Sequence, residues 1–288
     1  MTHVNAGTKR DHTAYHPSNT WQPTNADALN VDDYLERIGY RGTRAPTSET
    51  LRQLHRAHLQ TVPFENLDIT LGRPIALSLP VLYEKIVGHR RGGFCYELNT
   101  MFGWLLEQLG FEVTLLSARV FTDGQPGPAF DHMLLHIGGP VPLIADVGFG
   151  DSFIEPLPFD GQAHTQRRSA YRLTEAEAEW TLHQQRPEAD WQPQYIFSLT
   201  PRRRDEFNPM CRYHQTSPAS HFTQKSVCSR LTHAGRITVS NGRFIVTTDG
   251  KRQETIVTDE AVYRRRLKKS FGIELSADAP VHKLLYGR

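Results

Sequence analysis

The chain has 288 residues, enough for two domains, or two and a lid, at ~100–200 residues each. A net charge of +2 and a sequence pI of 8.4 are too mildly basic to make nucleic acid the main partner, although an anionic small molecule fits. Three cysteines cannot build a disulfide framework, no run approaches ~18 consecutive apolar residues, and the N-terminus lacks the apolar core of a signal peptide, so a reduced cytoplasmic protein with no membrane partner is expected.

Residues 1–30 are rich in Thr, Asn, His and Pro with no hydrophobic period, which predicts a flexible extension that Trp21 could anchor in part. From Val31 the spacing turns helical. Val31, Tyr34, Leu35 and Ile38 share one face before Gly39 and Gly42, and Pro46-Thr47-Ser48 starts a second helix through Leu51, Leu54 and Leu59. His55 and His58 lie on that helix without an acidic or cysteine companion, so ordinary histidines are expected rather than metal ligands, and no metal is implied. Pro63 disfavours a helical conformation at Val62, which makes residues 62–67 a structured loop. If that loop packs inward, Glu65 and Asn66 need partners, and Arg90 or Arg91 is available. Ser78 and Pro80 open a further helix through Leu82 and Ile86.

The segment Arg90-Arg91-Gly92-Gly93-Phe94-Cys95-Tyr96-Glu97-Leu98-Asn99 organises the rest. Leu98, Phe102, Leu105 and Leu109 recur at helical steps and Gly110 marks a stop, so a helix begins at or near Cys95. The glycine pair permits φ > 0 and close approach, which places the thiol at a sharp bend facing whatever enters. Unpaired helix N–H groups, the macrodipole and two neighbouring arginines all favour an anion there, and predict a lowered thiol pKa.

Past Gly110 the period becomes extended. Val113, Leu115 and residues 118–121 read as strand, residues 122–128 as loop, and residues 131–137 with 141–150 as a hairpin about Gly138-Gly139-Pro140. With the turn centred on Gly139, His132 falls directly opposite Asp146, their Cβ atoms ~4.5–5.5 Å apart. Pro142 interrupts the ladder, and a slip of one residue would part the two side chains. His136 is the competing base on the same strand face. A thiol at a helix start, an imidazole that takes its proton and a carboxylate that orients the imidazole make an activated nucleophile, here Cys95, His132 and Asp146. Gly148 and Gly150 have no side chains, so their amides can approach an oxyanion or a ligand phosphate. A cysteine hydrolase uses the same three groups, and an anion-binding module built on the arginine clusters is the reading outside enzymology.

Four separate motifs, Pro63-Phe64-Glu65-Asn66-Leu67, Arg91-Gly92-Gly93-Phe94-Cys95-Tyr96-Glu97, His132 before an apolar strand, and Asp146-Val147-Gly148-Phe149-Gly150, stand in the order and spacing of one family. From about residue 31 to the C-terminal region the chain resembles the arylamine N-acetyltransferase family, in its bacterial type. The resemblance implies an α+β fold with a catalytic core of the cysteine-protease kind: a helical bundle over residues 31–110 carrying the nucleophile, a central antiparallel β-barrel over 111–200 carrying His132 and Asp146, and an α/β lid over 201–288. It also implies a ping-pong reaction in which Cys95 accepts an acetyl group from acetyl-CoA as a thioester and passes it to an aromatic amine or hydrazine. Some bacterial members similar to this one also acetylate the oxygen of N-hydroxyarylamines. Phe64 and Phe149 look like aromatic walls of the acceptor pocket, and Gly148 and Gly150 are the candidate contacts to coenzyme A.

The remainder says less. Tyr171-Arg172-Leu173, Trp180-Thr181-Leu182 and residues 194–199 read as further barrel strands, and Asn241-Gly242 joins two extended runs as a hairpin. Asn208, Ser217-Pro218 and Ser220-His221-Phe222 look like the family's shared phrase, and residues 262–271 read as a basic helix. The basic runs 202–204 and 264–269 could attract coenzyme A phosphates, although such runs usually form a solvated face.

Overall fold

Residues 29–286 are described in the structure, a computed structural model. The expected extension over 1–30 therefore lies outside the described residues except for Leu29 and Asn30, and Trp21 lies outside them too. Among the described residues no helix is long and apolar enough to cross a membrane.

Helix α1 (Val31–Arg37) starts on Asn30, whose side chain accepts the Asp32 N–H at 2.7 Å, and α2 (Ser48–Thr61) starts on Thr47, which accepts from Thr50 at 3.2 Å. The 62–67 loop contains a two-residue strand β1 (Phe64–Glu65) and leads into α3 (Leu67–Leu71). Next, α4 (Leu79–Tyr83) runs on as a π-helical turn over Glu84–Gly88. Helix α5 (Cys95–Gln108) follows, and every residue from Cys95 to Leu106 is buried. A helix enclosed on all sides is a core element, and the other helices pack around it.

The turn before α5 is held from outside. Arg37 is buried and its guanidinium donates to the carbonyl oxygens of Ile86 at 2.8 Å, Arg90 at 3.1 Å, and Thr61 and Arg91 at 3.2 Å. The left-handed residue of that turn is Arg90, with φ 52°, and not a glycine as expected. Gly92 and Gly93 are demanded by space instead. A Cβ on Gly92 would stand 1.8 Å from the Pro63 carbonyl oxygen, and one on Gly93 2.7 Å from the Glu97 Cβ.

Below this turn lies a fully buried ionic cluster. Arg91 reaches Glu65 at 2.8 Å and Asp68 at 3.0 Å, while Lys85 reaches Asp68 at 2.8 Å and Glu97 at 2.7 Å. Glu97 also accepts the Phe94 N–H at 3.1 Å, which closes the first turn of α5. Burial raises Glu97 and Lys85 opposes it, leaving the carboxyl at about 7. Of the two arginines offered to Glu65, Arg91 takes it and Arg90 stays exposed.

The central sheet comprises β2 (Val113–Thr122), β3 (Gln125–Pro126), β4 (His132–Ile137), β5 (Leu143–Ala145), β6 (Leu157–Pro158), β7 (His164–Gln166), β8 (Ser169–Ala176), β9 (Glu179–Gln185) and β10 (Gln192–Phe197). Its antiparallel order is β6-β5-β4-β2-β10-β9-β8-β7, with β3 folded back on β2. The first strand of that order, β6, approaches β8 near the other end, so the sheet nearly closes into a barrel around Leu116, Leu134, Ile144, Leu173, Leu182 and Phe197.

The third layer holds α6 (Asn208–Thr216), α7 (His221–Gln224), β11 (Val227–Leu231), β12 (Gly235–Ser240), β13 (Arg243–Thr248), β14 (Lys251–Ile256), α8 (Glu260–Phe271) and α9 (His282–Tyr286). Its sheet has the order β1-β11-β12-β13-β14, so Phe64 and Glu65 form one edge of it, paired with Ser229 and Cys228. Asn241 and Gly242, at φ 44° and 73°, make the expected two-residue hairpin. Much of the basic content is structural: Arg264 donates to the carbonyls of Leu275, Ser276, Ala277 and Ala279, and Arg266 lies over the Phe244 ring.

Two stability measurements follow from the ionic cluster. Lys85→Met strands the buried Glu97 and Asp68, and should cost ~3–5 kcal/mol in urea unfolding. Glu97 rises from the usual 4.5 to about 7 on folding, so the folded chain keeps a proton that the unfolded chain has released, and stability falls as pH climbs through that window. Glu97→Gln should remove this part of the slope between about pH 4.5 and 7 in urea midpoints.

Candidate active site

Cys95 is the first residue of α5 and is 3% exposed. It lines a cavity of about 540 Å³ together with Phe64, His132, Gly148, Phe149 and Phe222, so the residues singled out from four distant motifs meet in one place. The thiol does not have the lowered pKa expected of it. Burial pushes it well above its usual value; the Met133 backbone opposes this, while Asp146, Cys211 and Asp131 add to it. The neighbouring arginines do not help, because Arg91 is committed to Glu65 and Asp68 and Arg90 points to solvent.

His132 and Asp146 are paired, Nε2 to Oδ2 at 2.7 Å. The register that brings them together differs from the expected one. Leu135 pairs with Ala145, His136 with Ile144 and Ile137 with Leu143, so the turn is centred on Pro140. Continued by one step this sets Leu134 opposite Asp146 and leaves His132 two residues away. A displacement of two preserves the face of the sheet, and the imidazole reaches the carboxylate diagonally. With Nε2 engaged, Nδ1 is the ring nitrogen left for another partner.

Asp146 is the most heavily bonded side chain of the site. Its Oδ1 accepts from Asn99 and from the Gly148 amide, both at 2.9 Å, and its Oδ2 also accepts the Tyr195 hydroxyl at 3.2 Å. Burial alone would raise its pKa; the His132 charge and the hydrogen bonds from His132, Asn99 and Gly148 outweigh that and hold it below the usual value. The Asp146 backbone N–H donates to His55 Nε2 at 3.0 Å, and His55 Nδ1 lies 2.8 Å from the Ile154 carbonyl. Burial lowers His55 to about 4, which keeps it neutral with its proton on Nδ1. His58 meets Tyr34 at 3.1 Å, so the histidine pair on α2 serves two separate contacts. Among the described residues no group of three or more His, Cys, Asp or Glu could hold a metal ion.

Phe149 packs edge-on to His132 at 5.2 Å and to Tyr195 at 5.1 Å, and Phe64 stands 6.3 Å from Phe222. Gly148 does not have a free amide for an oxyanion, since Asp146 takes it. Its bare Cα is what the fold requires, as a Cβ would lie 2.6 Å from the Cys95 Cα. Gly150, at φ 92°, packs behind Phe64. His136 faces Phe159 at 5.7 Å and does not line the cavity. Sequence reasoning missed Asn99, Tyr195 and His55. Asn99 alone left a trace, as an amide one turn beyond Cys95 in an apolar helix; Tyr195 sat in an ordinary strand pattern.

The profile of the N-acetyltransferase family matches residues 47–279. The arylamine N-acetyltransferase of Mycolicibacterium smegmatis is 36% identical over 257 residues, covering 86% of this chain and 93% of that protein. Among solved structures, the M. smegmatis arylamine N-acetyl transferase superposes with a TM-score of 0.82 at 34% identity, covering 90% of this chain and 98% of that one. The Mycobacterium marinum arylamine N-acetyltransferase in complex with CoA gives 0.79 at 31% identity, covering 85% and 93%. Agreement of this extent in both sequence and fold makes the chain a member of the arylamine N-acetyltransferase family, and so an acyltransferase.

Proposed function

We propose that the chain moves an acetyl group from acetyl-CoA to the nitrogen of arylamines and arylhydrazines through a thioester on Cys95. The observation that carries this reading is a thiol and an imidazole facing one aromatic-walled cavity, with the imidazole's far nitrogen fixed on a buried carboxylate. Coenzyme A enters the proposal because the M. marinum relative was solved with it.

In the first half-reaction His132 Nδ1 takes the Cys95 proton as the sulfur attacks the acetyl carbonyl. The bond from that carbonyl to the coenzyme A sulfur breaks, and the leaving thiolate receives the proton. Burial disfavours a bare thiolate, so the proton acceptor has to act beside the sulfur as it attacks. In the second half-reaction the amine nitrogen attacks the Cys95 thioester, the bond to Sγ breaks, and the amine proton passes through His132 to restore the thiol. Asp146 remains ionised, orients the ring and stabilises the imidazolium that forms at each step. Phe64 and Phe149 select a flat ring and limit access of water to the thioester. The proposal extends to O-acetylation of N-hydroxyarylamines, in which the hydroxyl oxygen attacks the thioester in place of the nitrogen. Gly150 is the glycine left as a coenzyme A contact, Gly148 giving its space to Cys95. The division into residues 31–110, 111–200 and 201–288 and a cytoplasmic location belong to this reading, the latter in keeping with free Cys95, Cys211 and Cys228.

Mixing the protein with acetyl-CoA alone should add the mass of one acetyl group at Cys95, and Cys95→Ser should abolish both this and turnover with the fold retained; a mutant that still turns over would end the mechanism. Asp146→Asn should lower kcat by about 10³–10⁴ in steady-state assays, as the wrong tautomer of His132 is then favoured. Asp146 also has a depressed folded pKa, so it contributes stability above the unfolded value that is lost as pH falls through the folded one, and acid unfolding of Asp146→Asn should show less of that loss.

A further inference from the structure

Besides His132, the cavity is lined by the imidazoles of His214 and His221 and the carboxylate of Asp131, none of which the transfer chemistry uses. His214 of α6 and Asp131, the residue before β4, line it together with Cys95 and His132. His214 is 3% exposed, its Nδ1 lies 3.0 Å from the Ser220 hydroxyl, and its ring is stacked on Tyr96 at 6.1 Å and held edge-on by Phe222 at 5.1 Å. Among the described residues Nε2 has no hydrogen-bond partner. It stands 3.2 Å from Asp131 Oδ1 without the alignment of one. A fixed, buried ring with an unsatisfied nitrogen beside a carboxylate favours a ligand group that can both donate and accept.

Thr122, Tyr213, His221 and Lys225 also line the cavity, but among the described residues His214 is the lining side chain that is buried with an unfilled nitrogen. Phe64, Phe149 and Phe222 hold any flat ring by its faces, so a polar edge is where two arylamines of equal size can be told apart. We infer that His214 and Asp131 determine acceptor specificity, selecting arylamines that carry a second hydrogen-bonding group on the ring, such as a hydroxyl. That hydroxyl donates to the Asp131 carboxylate and accepts from His214 Nε2–H. A methyl in its place does neither and leaves His214 Nε2 without a hydrogen bond. The inference rests on the acyl-transfer reading and names the substrate class of that same site.

The test compares kcat/KM for 4-aminophenol and 4-methylaniline, acceptors close in size and in amine basicity. In a ping-pong reaction this constant reports only steps from the acetyl-enzyme onward, so changes in the first half-reaction cancel in the ratio. The parent enzyme should favour 4-aminophenol by about tenfold, the worth of a hydrogen bond to a charged group. His214→Leu should bring the ratio to about one, and Asp131→Asn, which keeps the side-chain size, should reduce it several-fold even where the leucine variant fails to fold. An equal rate for both acceptors in the parent, or a preference that survives in every folded variant, would overturn the inference. If Cys95 of the parent gains no acetyl from acetyl-CoA, the acyl-transfer reading falls and this inference with it; acetylation with an unaltered ratio refutes the inference alone.

Discussion

A single buried carboxylate joins the helical layer of this molecule to its barrel. Asp146 sits at the end of a barrel strand, yet its contacts come from α2 through His55, from α5 through Asn99, from β4 through His132 and from β10 through Tyr195. An ionised carboxylate away from water is tolerated only when its lone pairs are filled, and here each oxygen accepts two hydrogen bonds. The arrangement therefore serves two ends. It holds the charge inside the protein, and it fixes the helix bearing the sulfur relative to the strand bearing the imidazole.

The ionic cluster under Cys95 does comparable work on the other side. Glu65, Asp68, Lys85, Arg91 and Glu97 come from five successive segments, and their mutual contacts define where the turn into α5 must run. Glu97 links this cluster to Cys95 most directly, because the carboxyl that meets Lys85 also caps the turn that starts with Cys95. Burial makes such a cluster costly to assemble and more costly to leave incomplete, so its value lies in specifying one geometry more than in net stability.

Local signals in the sequence carried the helix start at Cys95, the hairpin bearing His132 and Asp146, and the Asn241-Gly242 turn, since each depends on periodicity or turn chemistry within a few residues. The hairpin register was off by two and the pairing survived because alternation has a period of two. The thiol's electrostatics were misjudged for a long-range reason: an arginine next to a cysteine in sequence says nothing about the carboxylates, Glu65 and Asp68, that claim its charge in space. Tyr195 and His55 are illegible for the same reason, each being ordinary in its own element and meaningful only against Asp146, dozens of positions away. The clash that makes Gly92 obligatory likewise involves the Pro63 carbonyl, so the glycine was noticed for the wrong property.

Phe64 belongs to the helical half by sequence and to the C-terminal sheet by hydrogen bonding, opposite Ser229. The cavity wall that Phe64 forms is thus bonded to a strand from the C-terminal part of the chain. Grafting the C-terminal third of a relative onto this protein would re-seat Phe64 without altering it, so the shape of the cavity is inherited jointly by two distant stretches and does not travel with either one alone.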